Sequence, residues 1–314
     1  MNVVVTGGSG FIGSHVVDAL VDAGHRVTVI DHRVRPHRTD VEFEDVDLLD
    51  LSSVLAATRE AEHIFHLAAV SNVNYAYKYP AYSTALNVMG TTNVLESARV
   101  NGAKRVHLAS TVWVYNGSPD DEQVVDETVP FYLNGAGHIY TSTKMACEML
   151  CHNYGELYDL PFTVLRYGIP YGPRMREELL IPIFLKKALN GEPLTVAGDG
   201  SQYRKFVYVT DIARAHLLAM GESAARQTYN LEGPERVTVL QVAERIRDLI
   251  GDHVQIERTP ARAGDFRGKD VSAEKAFKEL GWRADIGFEA GLQATAEWFC
   301  QKWGAPLSLE DVSD

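Results

Sequence analysis

Tyr140 and Lys144 lie four residues apart in the segment Tyr-Thr-Ser-Thr-Lys, which opens a stretch of helical spacing. Residues at i and i+4 project from one face of a helix. A free tyrosine has a pKa of about 10 and is a poor base at neutral pH. A neighbouring ammonium, joined by a second positive charge on a ligand, favours its phenolate. Such a pair also occurs on plain surfaces, so spacing alone leaves both uses open. Ser110 and Thr111 end the strand expected at 105–109. A hydroxyl at a strand end can hold a substrate oxygen beside a phenol, although threonine is also simply a frequent strand residue.

The segment Thr6-Gly7-Gly8-Ser9-Gly10-Phe11-Ile12-Gly13 can bind phosphate. Gly7 permits a tight turn, Gly10 lets a pyrophosphate approach the backbone, and Gly13 lets a helix pack close to a sheet. Helix amides then face the phosphates. A glycine motif alone is weak. Here an apolar strand at 2–5 precedes it, and Phe11, Ile12, Val16, Val17, Leu20 and Val21 recur at helical spacing up to Gly24. A second strand at 26–30 ends at Asp31. A carboxylate at that position accepts hydrogen bonds from both ribose hydroxyls and repels a 2′-phosphate. The expected cofactor is therefore NAD rather than NADP, despite His32, Arg33 and Arg35 close by. A merely structural turn and a solvated Asp31 are the alternative readings.

These groups need a scaffold. Strands are expected near 63–67, 105–109 and 162–166, and helices near 80–101, 140–158, 177–190, 210–220 and 238–250. Strands alternating with helices imply an α/β fold, a doubly wound parallel sheet of Rossmann type. Beyond about residue 167 the pattern loosens into a smaller mixed α/β lobe. The expected division is 1–167, with 207–230 returning to it, and a second lobe of 168–206 and 231–314.

Composition narrows the partners. The 314 residues include 30 Lys+Arg and 42 Asp+Glu, a net charge of −12. So acidic a chain is unsuited to nucleic-acid binding by phosphate neutralisation. No apolar run reaches the roughly 18 residues of a membrane span. The first eight residues lack a basic leader segment and stop at glycines, so the first strand starts almost at residue 1. Three cysteines make no disulfide framework, and a reduced, cytoplasmic chain is expected. His66 and His107 lack metal-ligand spacing and read as strand residues, so no metal is expected.

Taken together, these elements resemble the extended short-chain dehydrogenase/reductase family, in its nucleotide-sugar epimerase/dehydratase branch. The likeness runs along nearly the whole chain. Asp47-Leu48 resembles the family's adenine-contacting step, and His66-Leu67-Ala68-Ala69 the segment lining the cofactor. Asn87 matches an asparagine on the nicotinamide side, and Thr111, Tyr140 and Lys144 match the catalytic set. Arg166-Tyr167-Gly168 resembles the stretch joining the cofactor and sugar-nucleotide sites, which adds Tyr167 to the cofactor set. Leu180-Ile181-Pro182 is similar to the segment along the nucleotide. Arg204 and Arg262 resemble phosphate clamps, and Asp265 a ribose contact. Two departures stand out. Ile169 replaces an asparagine that commonly touches the diphosphate, and Gly137-His138-Ile139 lacks the usual Pro/Ser pattern before the tyrosine.

The resemblance implies oxidation of a sugar hydroxyl as a first step, on a nucleoside-diphosphate sugar. Dehydratases and decarboxylases of the branch typically carry an acid pair, or a Glu, just after the catalytic threonine. Here Val112 and Trp113 stand there, and neither is an acid or base. The expectation is thus 4-epimerisation of a UDP-hexose or UDP-hexuronate, with Trp113 shaping the sugar pocket. A dehydratase, decarboxylase or ketoreductase is the alternative, with Tyr75, Tyr77 and Lys78, read as a loop after the fourth strand, either serving substrate or merely solvated. A non-catalytic NAD-binding regulator is a third reading. The helices near 80–101 and 140–158 correspond to those of an intersubunit bundle, so a homodimer is implied.

Overall fold

The computed structural model describes residues 1–118, 124–260 and 269–307. The chain divides into two units: Met1–Gly168 with Ile212–Leu231 and Asp270–Arg283, and Ile169–Asp211 with Glu232–Lys269 and Ala284–Asp314.

The first unit is built on a seven-stranded parallel sheet. Its elements begin β1 (Asn2–Thr6), α1 (Phe11–Asp22), β2 (Arg26–Asp31), β3 (Glu42–Asp45), α2 (Leu51–Ala57) and β4 (His63–His66). They continue with α3 (Val73–Lys78), α4 (Pro80–Thr84), α5 (Gly90–Asn101), β5 (Arg105–Thr111), α6 (Ile139–Tyr158) and β6 (Phe162–Tyr167). β1 lies between β2 and β4, so successive crossovers leave it in opposite directions. Ligands of such sheets bind at that switch point, beyond the carboxyl ends of the strands. The strand Gln227–Leu231 adds an edge beside β6, with Tyr229 opposite Leu165.

Alternation in β1 explains the two-sided packing. Val3 and Val5 pack with Val16, Val17 and Leu20 of α1. Val4 joins Val94 and Leu95 of α5 and Cys147 and Cys151 of α6 on the other face. Full burial of each Val or Leu contributes about 1.5–3 kcal/mol. The polar strand β3, Glu-Phe-Glu-Asp, has no apolar run and was not expected; it forms by backbone pairing with β2.

Three expectations need revision. The helix expected over 80–101 is interrupted by a π-helical turn at Ala85–Met89. Tyr75, Tyr77 and Lys78 lie on a helix rather than a loop, because Asn72 caps it by accepting from the Tyr75 amide at 3.0 Å. Asp270–Arg283 falls in the first unit, not the second lobe. There Val271 bridges Val125, the Tyr229 hydroxyl donates to Glu279 at 2.8 Å, and Trp282 is fully buried. These contacts form only in space, so local composition gave no sign of them.

The second unit pairs its strands two by two: Ile169–Tyr171 with Phe206–Tyr208, Leu194–Ala197 with Ile256–Thr259, and Tyr203–Arg204 with Val237–Thr238. Its helices are Leu180–Leu189, Val239–Ile250 and Phe288–Trp303. A capping box starts the second of these. The Gln241 amide donates to the Thr238 hydroxyl, and the Thr238 amide to the Gln241 side chain. Among the described residues no helix is long and apolar enough to cross a membrane.

Candidate active site

The glycine turn leaves β1 at the switch point. Gly7 adopts φ +72°, and a Cβ there would sit 2.7 Å from the Ala68 backbone. A Cβ on Gly13 would lie 2.1 Å from the Gly7 carbonyl oxygen. α1 therefore starts hard against the turn, followed by Phe11 and Ile12. Its N-cap is Gly10, and no side chain caps it. Uncapped amides and a cradle that side chains would fill suit a pyrophosphate. Asp31 ends β2, where its carboxylate accepts from the Ser9 amide at 3.1 Å and the His32 amide at 2.9 Å. Those bonds aim it across the turn, while burial raises its pKa. Asp47 is exposed and Leu48 buried, with the Leu48 carbonyl oxygen held by Asn93 at 2.7 Å.

A continuous hydrogen-bond net lies behind the segment Leu67-Ala68-Ala69. The Ala68 amide donates to the Thr6 hydroxyl at 3.3 Å, and that hydroxyl bonds His66 Nδ1 at 2.7 Å. His66 Nε2 meets the Thr91 hydroxyl at 2.9 Å, which itself donates to the Asn87 carbonyl oxygen at 2.6 Å. Thr91 has spent its proton, so His66 carries its own on Nε2 and accepts at Nδ1. Burial pushes the His66 pKa down to about 3, which keeps the ring neutral. The Asn87 side chain accepts from the Val70 amide at 2.7 Å and donates to the Val70 oxygen and to Thr143. The Thr143 hydroxyl donates to the Tyr140 oxygen at 2.8 Å. Asn87 thus ties the chain at Val70 to the first turn of α6. It does so from the π turn, a distortion often found at functional sites. His66 is a strand residue, as expected, and ends β4; its bonds to Thr6 and Thr91 could not be read from spacing.

Thr111, the last residue of β5, is buried, and its hydroxyl accepts from the Trp113 amide at 3.2 Å. That bond starts the 3₁₀ turn Val112–Tyr115. Tyr140 and Lys144 occupy the first turns of α6. The Lys144 ammonium donates to the Ala109 carbonyl oxygen at 2.8 Å and stands 6.0 Å from the centre of the Tyr140 ring. Burial lowers the Lys144 pKa, opposed by Cys147 and Glu148. The Trp113 ring meets Tyr140 edge-on at 6.2 Å, and His138 packs on Trp113 at 4.8 Å.

A buried ion pair braces this strand end. Glu148 of α6 accepts from Ser110 and, at 2.6 Å, from Arg166 of β6, whose guanidinium also donates to the Tyr115 hydroxyl. Tyr115 passes its proton to Asn230 at 2.9 Å. Tyr167 sits opposite Thr111 in the register, with its hydroxyl bonded to buried His216. The first unit therefore assembles Thr111, Tyr140, Lys144, the glycine turn and Asp31 at one end of its sheet. In the second unit, Leu180 begins a helix and Arg204 lies in a short strand, donating to the Tyr203 oxygen at 2.7 Å. Arg262 and Asp265 lie outside the described residues. Among the described residues no cluster of three His, Cys, Asp or Glu fits a metal ion.

A glycine cradle at the switch point, with Thr at the end of β5 and Tyr and Lys on α6, defines an NAD-dependent enzyme of the extended short-chain dehydrogenase/reductase class. The sequence matches the NAD dependent epimerase/dehydratase family over residues 3–231, and the chain belongs to that family. It is 33% identical to UDP-glucuronic acid decarboxylase 1 of Danio rerio over 310 residues, covering 96% of this chain and 73% of the relative. The UDP-glucose 4-epimerase of Thermotoga maritima, solved with UDP-glucose, superposes with a TM-score of 0.89 at 32% identity, covering 96% of this chain and 100% of that one. The UDP-glucose 4-epimerase of Thermus thermophilus, solved with NAD, gives 0.84 at 32% identity, covering 95% and 99%.

Proposed function

We propose that the protein interconverts carbon-4 epimers of a nucleoside-diphosphate sugar, of the UDP-hexose or UDP-hexuronate class, through a transient 4-keto sugar. The observation that carries this reading is the pair after Thr111. Val112 and Trp113 offer no ionisable group for chemistry at carbon 5.

In this reading the Tyr140 phenolate takes the proton of the 4-hydroxyl and later returns it to the 4-keto oxygen. Thr111 holds that oxygen by its hydroxyl. Lys144 keeps positive charge beside the phenol and favours its ionised form. Bound NAD supplies a hydride acceptor that can give the hydride back to either face of the sugar. The glycine turn and Asp31 hold it, with Asp47, Leu48, Leu67, Ala68, Ala69 and Tyr167 assigned to its surroundings. Trp113 is assigned to the sugar, Arg204 to the diphosphate and Leu180 to the nucleotide.

The likeness to a UDP-glucuronic acid decarboxylase favours a second reading, in which another group acts at carbon 5. NMR in D₂O with UDP- and dTDP-sugars separates the two. Carbon-4 epimers interconverting without deuterium at carbon 5 is the expected result. Deuterium at carbon 5, or loss of water or CO₂, would establish the second reading.

A homodimer through α5 and α6 belongs to the proposal. Met89 and Val100 at the ends of α5, and Met149 and Leu157 on α6, are exposed apolar side chains. A sedimentation mass of one chain at micromolar concentration would refute it.

A further inference from the structure

His138 does two jobs with its two ring nitrogens. As the N-cap of α6 it accepts at Nδ1 from the Thr141 amide at 3.3 Å and bonds the Thr141 hydroxyl at 3.0 Å. An Nδ1 that accepts places the ring proton on Nε2. Among the described residues that Nε2–H has no partner. The ring is half-buried, 4.8 Å from the Trp113 ring and 6.2 Å from the Tyr140 ring. The cap thus fixes both the tautomer and the direction of a donor beside the phenol.

The Nε2–H is not sealed in the core, so a ligand oxygen can reach it and take the place of water. Histidine is also a weak choice for a cap, where Ser, Thr, Asp and Asn are preferred. Capping alone would not select it here. We propose that His138 is a sugar-binding residue of this site, its Nε2–H donating to a hydroxyl or ring oxygen of the sugar other than the reacting one, with the Trp113 ring beside it. This rests on the assignment of the site around Tyr140 to a nucleotide sugar.

The test separates the cap from the donor. His138→Ser keeps a good capping oxygen and removes Nε2. Calorimetric binding of UDP-glucose and dTDP-glucose is compared with that of UDP and dTDP, on NAD-loaded protein. The expected result is about tenfold weaker binding of a sugar nucleotide, with the bare diphosphates and thermal stability unchanged. In turnover, KM should rise more than kcat falls. Equal weakening of sugar nucleotide and diphosphate, or no change in either, would overturn the proposal, as would failure of the wild-type protein to bind either sugar more tightly than its diphosphate. Absence of epimerisation by a wild-type protein that still binds the sugar through His138 would count against the proposed reaction alone.

Discussion

The ammonium of Lys144 sits 6.0 Å from the centre of the Tyr140 ring, held there by a 2.8 Å bond to the Ala109 carbonyl oxygen. The i, i+4 spacing on α6 makes them neighbours, and the end of β5 fixes the lysine. Replacing Tyr140 by Phe should lower kcat by about 10²–10⁴-fold, the usual worth of a positioned acid–base group. NAD binding should persist, because the glycine turn is untouched. Lys144→Met should raise the phenol pKa and shift the acidic, rising limb of the pH–rate profile to higher pH. Full activity in the Phe variant, read by coupled assay or NMR, would remove Tyr140 from the mechanism.

Gly13 has no room for a methyl group, since a Cβ would lie 2.1 Å from the Gly7 oxygen. Gly13→Ala must push α1 away from the turn. The expected outcome is loss of NAD binding, followed by fluorescence quenching, together with a destabilisation of about 1–3 kcal/mol from overpacking. Unchanged affinity would mean that the turn does not hold the pyrophosphate.

In the proposed reading His66 is a positioning residue, acting on the Leu67-Ala68-Ala69 segment through Thr6 and Thr91. His66→Phe fills the space but leaves the Thr6 hydroxyl without its acceptor, while Thr91 still donates to the Asn87 oxygen. Each unsatisfied buried group costs about 1–3 kcal/mol. Thermal stability should fall, and the Kd for NAD should rise because Ala68 loses its support. Stability lost with NAD affinity intact would confine His66 to the core.

Acid should destabilise the first unit well above the carboxylate range. Burial lowers His63 to about 4, His66 and His216 to about 3, and His107 far below 6.5. The unfolded chain, with these groups near 6.5, binds more protons than the folded one. Their contribution is complete above about pH 6.5 and is lost as pH falls toward the folded values. Each fully differential site loses about 1.4 kcal/mol per pH unit. His63 and His107 share one hydrogen bond, so the four do not add independently. Glu232, raised to about 8 by burial in the second unit, works in the opposite sense, as do Asp31 and Glu127, which burial raises in the first unit. Calorimetric melts should show Tm falling between pH 7 and pH 5; a flat Tm would contradict the assignment.

Much of this molecule was written locally. The β-branched run before Gly7, the glycines at 7, 10 and 13, Asp31 at the next strand end and the Tyr140–Lys144 spacing are short-range patterns. They decide turn geometry, helix start and side-chain face within a few residues, so the Rossmann class and its NAD could be read from the order of letters. The sheet order, the return of Asp270–Arg283 to the first unit and the pairing of β3 came from long-range contacts that no window of sequence contains. So did the net from Thr6 through His66 and Thr91 to Asn87. Thr6 and His66, directly bonded, are 60 residues apart, and each member alone is an ordinary polar residue. Only the parallel sheet, by aligning the ends of β1 and β4, brings their lone pairs and protons to bonding distance.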